Sequence, residues 1–279
     1  MRSLKVALFA GAAIAAAFTS ANAADLGPIM QAPRMIAPAQ VEEQMGGWYL
    51  RGDIGVGSQR FKEFDFTQTN QAFVWPASWR IDQREMGDAA FIGAGVGYQF
   101  NSWLRADVTG EYRVSSKFKA IGSYTEFCPG GRCFDVYDGN HSAVVLMANG
   151  YIDLGTYVRV TPYVGAGVGY SYLSWGGLDS TNYCVDGVGP CPAPGGAISS
   201  ADHGGEKDWR FTYAFMAGAA YDLTKNLKLD LGYKYRHIDG GDMFGWDDFS
   251  DAAGASGIQG TDDGFSTHEV KVGLRYELW

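Results

Sequence analysis

The dominant pattern along this chain is an alternation of apolar and polar residues with a period of two. Between Trp103 and Val114, every second residue is apolar or small, and four charged residues occupy the positions between them. Successive side chains of a β-strand point to opposite faces, so this segment predicts a strand with one apolar and one charged face. Seven more segments alternate apolar with polar or small residues: 48–56, 90–100, 144–154, 162–172, 209–223, 227–235 and 269–278. Each is close to the roughly 9–11 residues that cross a bilayer as a tilted strand.

The connections between these segments alternate in length. Three are short (Asn101-Ser102, 155–160 and 224–226) and four are long and rich in Gly, Asp and Ser (58–87, 115–141, 174–207 and 238–264). Outer-membrane barrels have short periplasmic turns and long external loops. The sequence therefore predicts an all-β fold, an eight-stranded antiparallel transmembrane β-barrel with four long external loops and three short periplasmic turns. A soluble β-sandwich with an aromatic core is the alternative, but it does not need this alternation of loop length.

The N-terminal segment predicts export from the cytoplasm. Arg2 and Lys5 precede an apolar run over 6–18, which is followed by the small-residue motif Ala21-Asn22-Ala23. This order is typical of a secretory signal peptide. The predicted organisation is a signal peptide over 1–23, a proline-spotted periplasmic leader over 24–46 and an outer-membrane β-barrel over 47–279.

Composition narrows the class of protein further. The chain has 39 Gly, 46% hydrophobic and 19% charged residues, which does not fit a disordered chain. Its net charge of −9 and lack of a basic patch disfavour a nucleic-acid partner. A mean hydropathy of −0.14 argues against a helical membrane protein.

The charged faces of the strands predict a filled interior. In the barrel arrangement, nine positive and eight negative side chains point inward and nearly cancel. An eight-stranded barrel is just wide enough for side chains to fill it, so we expect ion pairs and a largely plugged lumen. Arg105, Asp107, Glu111 and Arg113 are expected to share one network with neighbours on the first strands. The predicted lumen charge network is Arg51, Asp53, Arg105, Asp107, Glu111, Arg113, Asp153, Lys228, Asp230, Lys234, Glu269, Lys271 and Arg275.

Two motifs acquire a structural interpretation in this arrangement. Arg51-Gly52-Asp53 resembles an integrin-binding tripeptide, but both charges point inward from a strand, which favours an internal ion pair. The Gly-rich repeat at 91–98 and 163–170 lacks the strand-to-helix context of a nucleotide site. Inward glycines there are expected to leave room for charged side chains from other strands.

The four cysteines are expected to form disulfides after export. Short spacing with intervening glycine favours Cys128 with Cys133 and Cys184 with Cys191, although four cysteines permit three pairings. A metal site is the alternative, but no histidine stands at ligand spacing from a cysteine.

Other candidate chemistry is weaker. Ser266 and His268 form the best candidate for a hydrolase site, with lipid A as its substrate, but Glu269 points to the opposite face and leaves the histidine without an orienting partner. We therefore expect no enzymatic activity.

The fourth long connection is rich in aspartate and has no Lys or Arg. It is expected to be a solvated acidic loop, with divalent-cation bridging to lipopolysaccharide as the alternative; its aspartates are Asp239, Asp242, Asp247, Asp248, Asp251, Asp262 and Asp263.

The chain resembles the small outer-membrane β-barrel proteins of alphaproteobacteria, the porin-like surface antigens of brucellae and their rhizobial relatives. The resemblance is carried by Ala24-Asp25-Leu26, by the first strand from Gly47 to Gly55, by the strand from Thr161 to Tyr170, and by the ending Val272-Gly273-Leu274-Arg275-Tyr276. One departure is Trp279, which is out of phase by one residue with the usual terminal aromatic position.

The resemblance implies a non-enzymatic barrel in the Gram-negative outer membrane, without cofactor or metal. Its role would be structural and in cell-surface interaction. Alternatives are a narrow porin-like channel for small solutes, and haem binding through His141, His203, His237 or His268. The expected partners are outer-membrane lipid and lipopolysaccharide, the barrel-assembly machinery, and host or surface molecules met by the loops.

Overall fold

A computed structural model describes residues 46–66, 80–125, 132–184 and 196–279. These residues form antiparallel strands and one short helix, so the predicted all-β class is confirmed. The predicted signal peptide and nearly all of the predicted leader lie outside the described residues. No helix in the described part of the chain is long and apolar enough to cross a membrane.

The strands are numbered in chain order. They are β1 (Gly47–Phe61), β2 (Phe64–Phe66), β3 (Arg80–Met86), β4 (Ala89–Gln99), β5 (Leu104–Tyr124), β6 (Cys133–Asp153), β7 (Val160–Cys184), β8 (Ala197–Gly205), β9 (Lys207–Asp222), β10 (Leu227–Ile238), β11 (Gly241–Asp247), β12 (Ile258–Asp262) and β13 (Phe265–Glu277). The helix α1 (Asp248–Ala252) follows β11.

The pairing of eight strands closes into a ring. The hydrogen-bonded order is β1, β4, β5, β6, β7, β9, β10 and β13, and β13 pairs again with β1. The remaining strands lie beyond this ring. From the C-terminal part of β7, the sheet continues in the order β8, β11, β12 and β2, and β3 pairs with the C-terminal part of β5. Closure leaves the ring strands without a free edge along their shared length.

Side chains alternate between the two faces of the ring. On β6, the outward residues Val144 and Leu146 are 40% and 48% exposed, whereas the inward Asn149 and Asp153 are buried. Apolar side chains thus lie outside and polar ones inside, the reverse of a water-soluble protein. This arrangement follows from the period of two combined with closure.

Polar side chains shape the tight connections at one end of the ring. Between β4 and β5, the Asn101 side-chain oxygen accepts hydrogen bonds from the Leu104 N–H at 2.8 Å and the Trp103 N–H at 3.0 Å. Between β9 and β10, Thr224 Oγ1 accepts from the Leu227 N–H at 3.0 Å. Asn and Thr stabilise turns by this local bonding, which explains why these strands reverse over so few residues.

The segments predicted as long loops contain much more strand than expected. Residues 115–141 were expected to be irregular, but β5 continues to Tyr124 and β6 begins at Cys133. In the same way β7 runs to Cys184, and β8 lies within the predicted loop over 174–207. The reason is that the alternation resumes after a register shift between Arg113 and Ser116: Phe118 and Ala120 are buried while Lys117 and Lys119 are exposed.

Candidate functional site: the charged interior

The interior layer nearest the short connections combines ion pairs with tyrosine rings. Arg105 Nε donates to Asp153 Oδ1 at 3.0 Å, and both side chains are almost fully buried. The Arg105 guanidinium also lies over the rings of Tyr151, at 4.1 Å from the centroid, and Tyr163, at 4.7 Å. Cation–π contacts of this kind stabilise a desolvated guanidinium.

Lys228, Asp230 and Arg275 lie in the same region. Lys228 Nζ is 2.8 Å from Asp222 Oδ1 and 3.5 Å from Glu277 Oε1. Arg275 Nε lies 3.7 Å from Asp230 Oδ2, and both side chains are buried. These pairs link the ends of β9, β10 and β13 across the interior face.

The middle layer is centred on Arg51. Its Nε and Nη2 atoms donate to the two oxygens of Asp53 at 2.8 and 2.9 Å, and its Nη1 donates to Asp107 Oδ2 at 2.7 Å. Lys271 Nζ lies 3.2 Å from Asp53 Oδ1. The two charges of the Arg51-Gly52-Asp53 tripeptide therefore pair with each other inside the ring, and Asp107 joins them from β5.

Neutral side chains complete the coordination of Asp107. The Tyr49 hydroxyl donates to its Oδ2 at 3.0 Å, and the Asn149 amide donates to its Oδ1 at 2.8 Å. A buried carboxylate needs several donors, and here they come from the two strands β1 and β6.

The upper layer contains three cations and two carboxylates. Glu111 accepts from Lys234 and Arg236, and Arg113 donates to Glu269. Glu269 Oε2 also lies 3.4 Å from Lys234 Nζ and 3.5 Å from Arg236 Nη2. All five side chains are buried, so the layer joins β5, β10 and β13 across the width of the ring.

Inward glycines leave the space that these side chains fill. A Cβ atom at Gly93 would lie 2.8 Å from Glu111 Cγ. A Cβ at Gly273 would collide with the Asp53 carboxylate, and one at Gly97 would collide with the Tyr49 ring. Any larger residue at these positions would displace a member of the interior network.

An aromatic layer lies above the charges, toward the end of the ring with the long connections. Phe118 packs against Trp175 with ring centroids 5.9 Å apart, and Phe61 stacks on Phe265 at 6.1 Å. Phe244 from β11 contacts Trp175 at 5.4 Å. Sequence reasoning missed this layer because these residues lay in or beside segments interpreted as loops, and because a register shift between Arg113 and Ser116 moves the inward face of β5 by one residue before Phe118.

A further ion pair ties the fourth long connection to the ring. Arg210 of β9 donates through Nη1 to Asp262 Oδ2 at 2.5 Å and through Nη2 to the Asp242 carbonyl oxygen at 2.6 Å. Burial raises the pKa of the Asp262 carboxyl above its ordinary value. Asp247 caps α1, since its side chain accepts from the Ser250 N–H at 2.8 Å. The expectation of a wholly solvated acidic loop is therefore wrong for Asp262, which is buried.

The predicted network members are divided among these layers rather than joined in the expected combination. Arg51 contacts both Asp53 and Asp107. Glu111 and Arg113, however, form their ion pairs with residues of β10 and β13. Arg210 and Arg236 are two of the nine expected inward cations and also form ion pairs here, although the predicted network left them out. The participants that sequence reasoning missed are Tyr49, Asn149, Tyr151, Tyr163 and Asp262.

The pairing register between β6 and β7 places two of the four cysteines opposite each other. Cys133, at the start of β6, is the Cα partner of Cys184, at the end of β7. Cys128 and Cys191 lie outside the described residues. The expected pairings of Cys128 with Cys133 and of Cys184 with Cys191 stay a prediction.

Ser266 faces outward and contacts a different histidine from the one expected. Its Oγ lies 3.1 Å from His237 Nδ1 and 3.0 Å from the Tyr235 hydroxyl, while His268 Nδ1 instead contacts the Tyr233 hydroxyl at 2.6 Å. His237 Nε2 lies 3.5 Å from Asp239 Oδ1, which is longer than a normal hydrogen bond. The serine therefore has a neighbouring base, but that base lacks a closely bonded orienting carboxylate.

The four histidines lie in different environments. His141 faces the interior and lies 3.2 Å from Gln59 Oε1. His237 and His268 face outward, and His203 on β8 lies 3.2 Å from Ser180 Oγ. Among the described residues, no group of three or more His, Cys, Asp or Glu side chains is arranged to hold a metal ion.

Comparison with known proteins assigns the chain to a family of outer-membrane proteins. The chain matches the family model described as outer membrane protein beta-barrel domain over residues 7–277. It is 36% identical to an uncharacterized protein of Brucella abortus, with 93% of each chain covered. It is 25% identical to a putative adhesin of Rickettsia bellii over 83% of this chain and 88% of the relative. The crystal structure of Neisserial surface protein A aligns with 83% of this chain and 97% of its own, at 15% identity and a TM-score of 0.44.

Proposed function

This chain belongs to the outer membrane β-barrel domain family and is located in the outer membrane of a Gram-negative bacterium, and we propose that it is a non-enzymatic surface protein with a closed interior. In this proposal the ring is an eight-stranded transmembrane barrel. The outward apolar side chains contact lipid. The short connections face the periplasm, and the long ones face the outside of the cell. The closed pairing order and the exposed apolar residues, such as Val108 at 58% and Val168 at 54%, support this orientation.

The observation that carries the closed interior is the set of buried ion pairs across the ring. The middle and upper layers each contain a cation bonded to carboxylates from other strands, and the aromatic layer covers them. An eight-stranded barrel has little interior volume beyond what its own side chains occupy. Side chains bonded across that interior leave no path that stays open without breaking ion pairs.

The role in surface interaction rests on the relatives. The Rickettsia protein is named a putative adhesin. The extended hairpins of β5–β6 and β7–β8 continue beyond the ring and would present their surface to host or other external molecules. The barrel would then act as a rigid support for these segments.

Planar-bilayer recording tests the closed interior. The purified wild-type protein is expected to give no steady single-channel current. The double variant Arg51→Ala, Arg105→Ala removes two long side chains from the lumen and is expected to conduct ions. It is the positive control, because its current shows that the recording can detect an open lumen. Steady currents from the wild type would favour the alternative of a narrow channel for small solutes.

Display on a non-adherent bacterium tests the surface role. Cells carrying the wild-type protein are expected to bind host cells or matrix more strongly than cells carrying a variant with residues 134–141 and 174–183 replaced by Gly-Ser segments. Equal surface amounts must be verified by antibody labelling. Equal adhesion by the two strains would refute a role for these hairpins.

A further inference from the structure

A group of polar side chains lies on the outward face of β1, β13 and β10, directly above exposed apolar residues. Val56 and Val270 are Cα partners and are 61% and 63% exposed. Two residues farther along each strand, Ser58 is the partner of His268. Two residues farther again, Arg60 is the partner of Ser266, and Ser266 is the partner of His237 on β10.

This change from apolar to polar locates the edge of the lipid-facing surface. Each step of two residues advances about 6.6–6.8 Å along a strand. Arg60, Ser266 and His237 therefore lie roughly 13–14 Å beyond the Val56 and Val270 pair, measured along the strands. In the proposed orientation this is the level of the outer-leaflet headgroups.

The cations here are available to an external ligand. Arg60 and Lys62 are both exposed, and neither forms an ion pair with another of the residues that the structure describes. On β5, by contrast, Lys119 is paired with Asp138 at 3.1 Å. Asp239, 3.5 Å from His237, is the acidic side chain that contacts the group.

Hydroxyl and imidazole groups lie beside the cations in a fixed arrangement. Ser266 Oγ is held by His237 and Tyr235, and His268 is held by Tyr233. Such hydroxyl and ring N–H groups donate to phosphate oxygens, and a guanidinium matches a phosphate with two parallel hydrogen bonds. We name Arg60, Lys62, His237, Ser266 and His268 the rim patch.

We propose that the rim patch binds the phosphate groups of a phosphorylated outer-leaflet glycolipid of the lipid A type. This inference rests on the proposed transmembrane orientation. The acyl chains would lie against the apolar surface around Val56 and Val270 while the phosphates contact Arg60 and Lys62. The pairing of an anionic headgroup with unpaired cations above an apolar surface is what selects a lipid over a soluble anion.

The first measurement separates the orientation from the site. Full-length protein reconstituted into phosphatidylcholine vesicles is treated with protease, and protected strands are identified by mass spectrometry. Protection of the ring strands is expected. If the ring strands are cleaved throughout, both the proposed orientation and this site are refuted.

The second measurement tests the site by fluorescence anisotropy of a labelled, bis-phosphorylated lipid A in mixed micelles. The double variant Arg60→Gln, Lys62→Gln is expected to bind roughly tenfold or more weakly, because each cation near an anionic lipid surface contributes appreciably. Lys117→Gln, Lys119→Gln is the matched control, since it removes two outward cations from β5 and is expected to bind like the wild type. Urea unfolding midpoints should be the same for all three proteins.

Three results would overturn the proposal. The first is equal affinity of the wild type for lipid A with and without its phosphates. The second is equal affinity of wild type and the Arg60, Lys62 variant. The third is an equal loss in the β5 control, which would indicate general charge attraction. Inorganic phosphate should not displace the labelled lipid, and displacement would identify a soluble anion as the ligand instead.

Discussion

Glu111 offers the sharpest test of the interior. It accepts hydrogen bonds from Lys234 and Arg236, and Glu269 is the other carboxylate in contact with these cations. Glu111→Ala leaves Arg113, Lys234 and Arg236 to share a single carboxylate. The formal charge of the five-member layer then rises from +1 to +2 in a buried position.

The expected loss of stability follows from the burial of this layer. Breaking a buried ion pair by removing one partner costs about 3–5 kcal/mol, because a charge remains without compensation. An exposed ion pair contributes about 0–1 kcal/mol. Asp138→Ala removes the partner of Lys119 in an exposed pair and is the matched control.

The assay is reversible urea unfolding of both variants in lipid vesicles. Glu111→Ala is expected to lower the free energy of unfolding by about 3–5 kcal/mol, and Asp138→Ala by less than about 1 kcal/mol. Adding Lys234→Met to Glu111→Ala should recover part of the loss, since it removes one of the uncompensated cations. A cost for Glu111→Ala as small as that of the control would refute the dry, ion-paired interior and favour a water-filled channel.

The remaining predictions address the outer surface, the glycines, the cysteines and Ser266. Val108→Arg is expected to cost about 2–4 kcal/mol in the same unfolding assay, whereas Ala252→Arg in α1 should cost little; equal losses would contradict lipid contact at Val108. Gly273→Val should destabilise the protein and release Asp53 from its pairs, and an unchanged stability of this variant would argue against the observed packing. Gly254→Ala is the control: Gly254 has a positive φ and no neighbour within 4 Å of an added Cβ, so this variant should show only local backbone strain. Peptide mapping under non-reducing conditions should recover Cys128 linked to Cys133 and Cys184 linked to Cys191, and a peptide pair joined through Cys133 and Cys184 would contradict the expected pairing within each loop. A fluorophosphonate probe should label wild type no more than Ser266→Ala, and selective labelling of the wild type would restore the hydrolase hypothesis.

Much of the architecture follows from local pattern. The period of two assigned Arg105, Asp107, Glu111 and Arg113 to one face of a strand, and all four are buried on the inward face of β5. The same pattern identified the apolar outward surface of the ring, because the direction of a side chain in a strand depends on its position along the strand. It failed at the ends of strands, where Gly- and Asp-rich composition suggested loops. Trp175 continues the inward phase of β7 there, whereas Phe118 faces inward only because a register shift between Arg113 and Ser116 moves the phase of β5 by one residue.

Which charges meet was decided by the tertiary structure. Glu111 contacts Arg236 across 125 positions of sequence, and Ser266 contacts His237 rather than the nearby His268. Both outcomes depend on the register between strands and on the stagger with which the ring closes. Neither quantity is encoded in the alternation itself, because shifting a neighbouring strand by two residues keeps every side chain on its face and yet changes all of its partners.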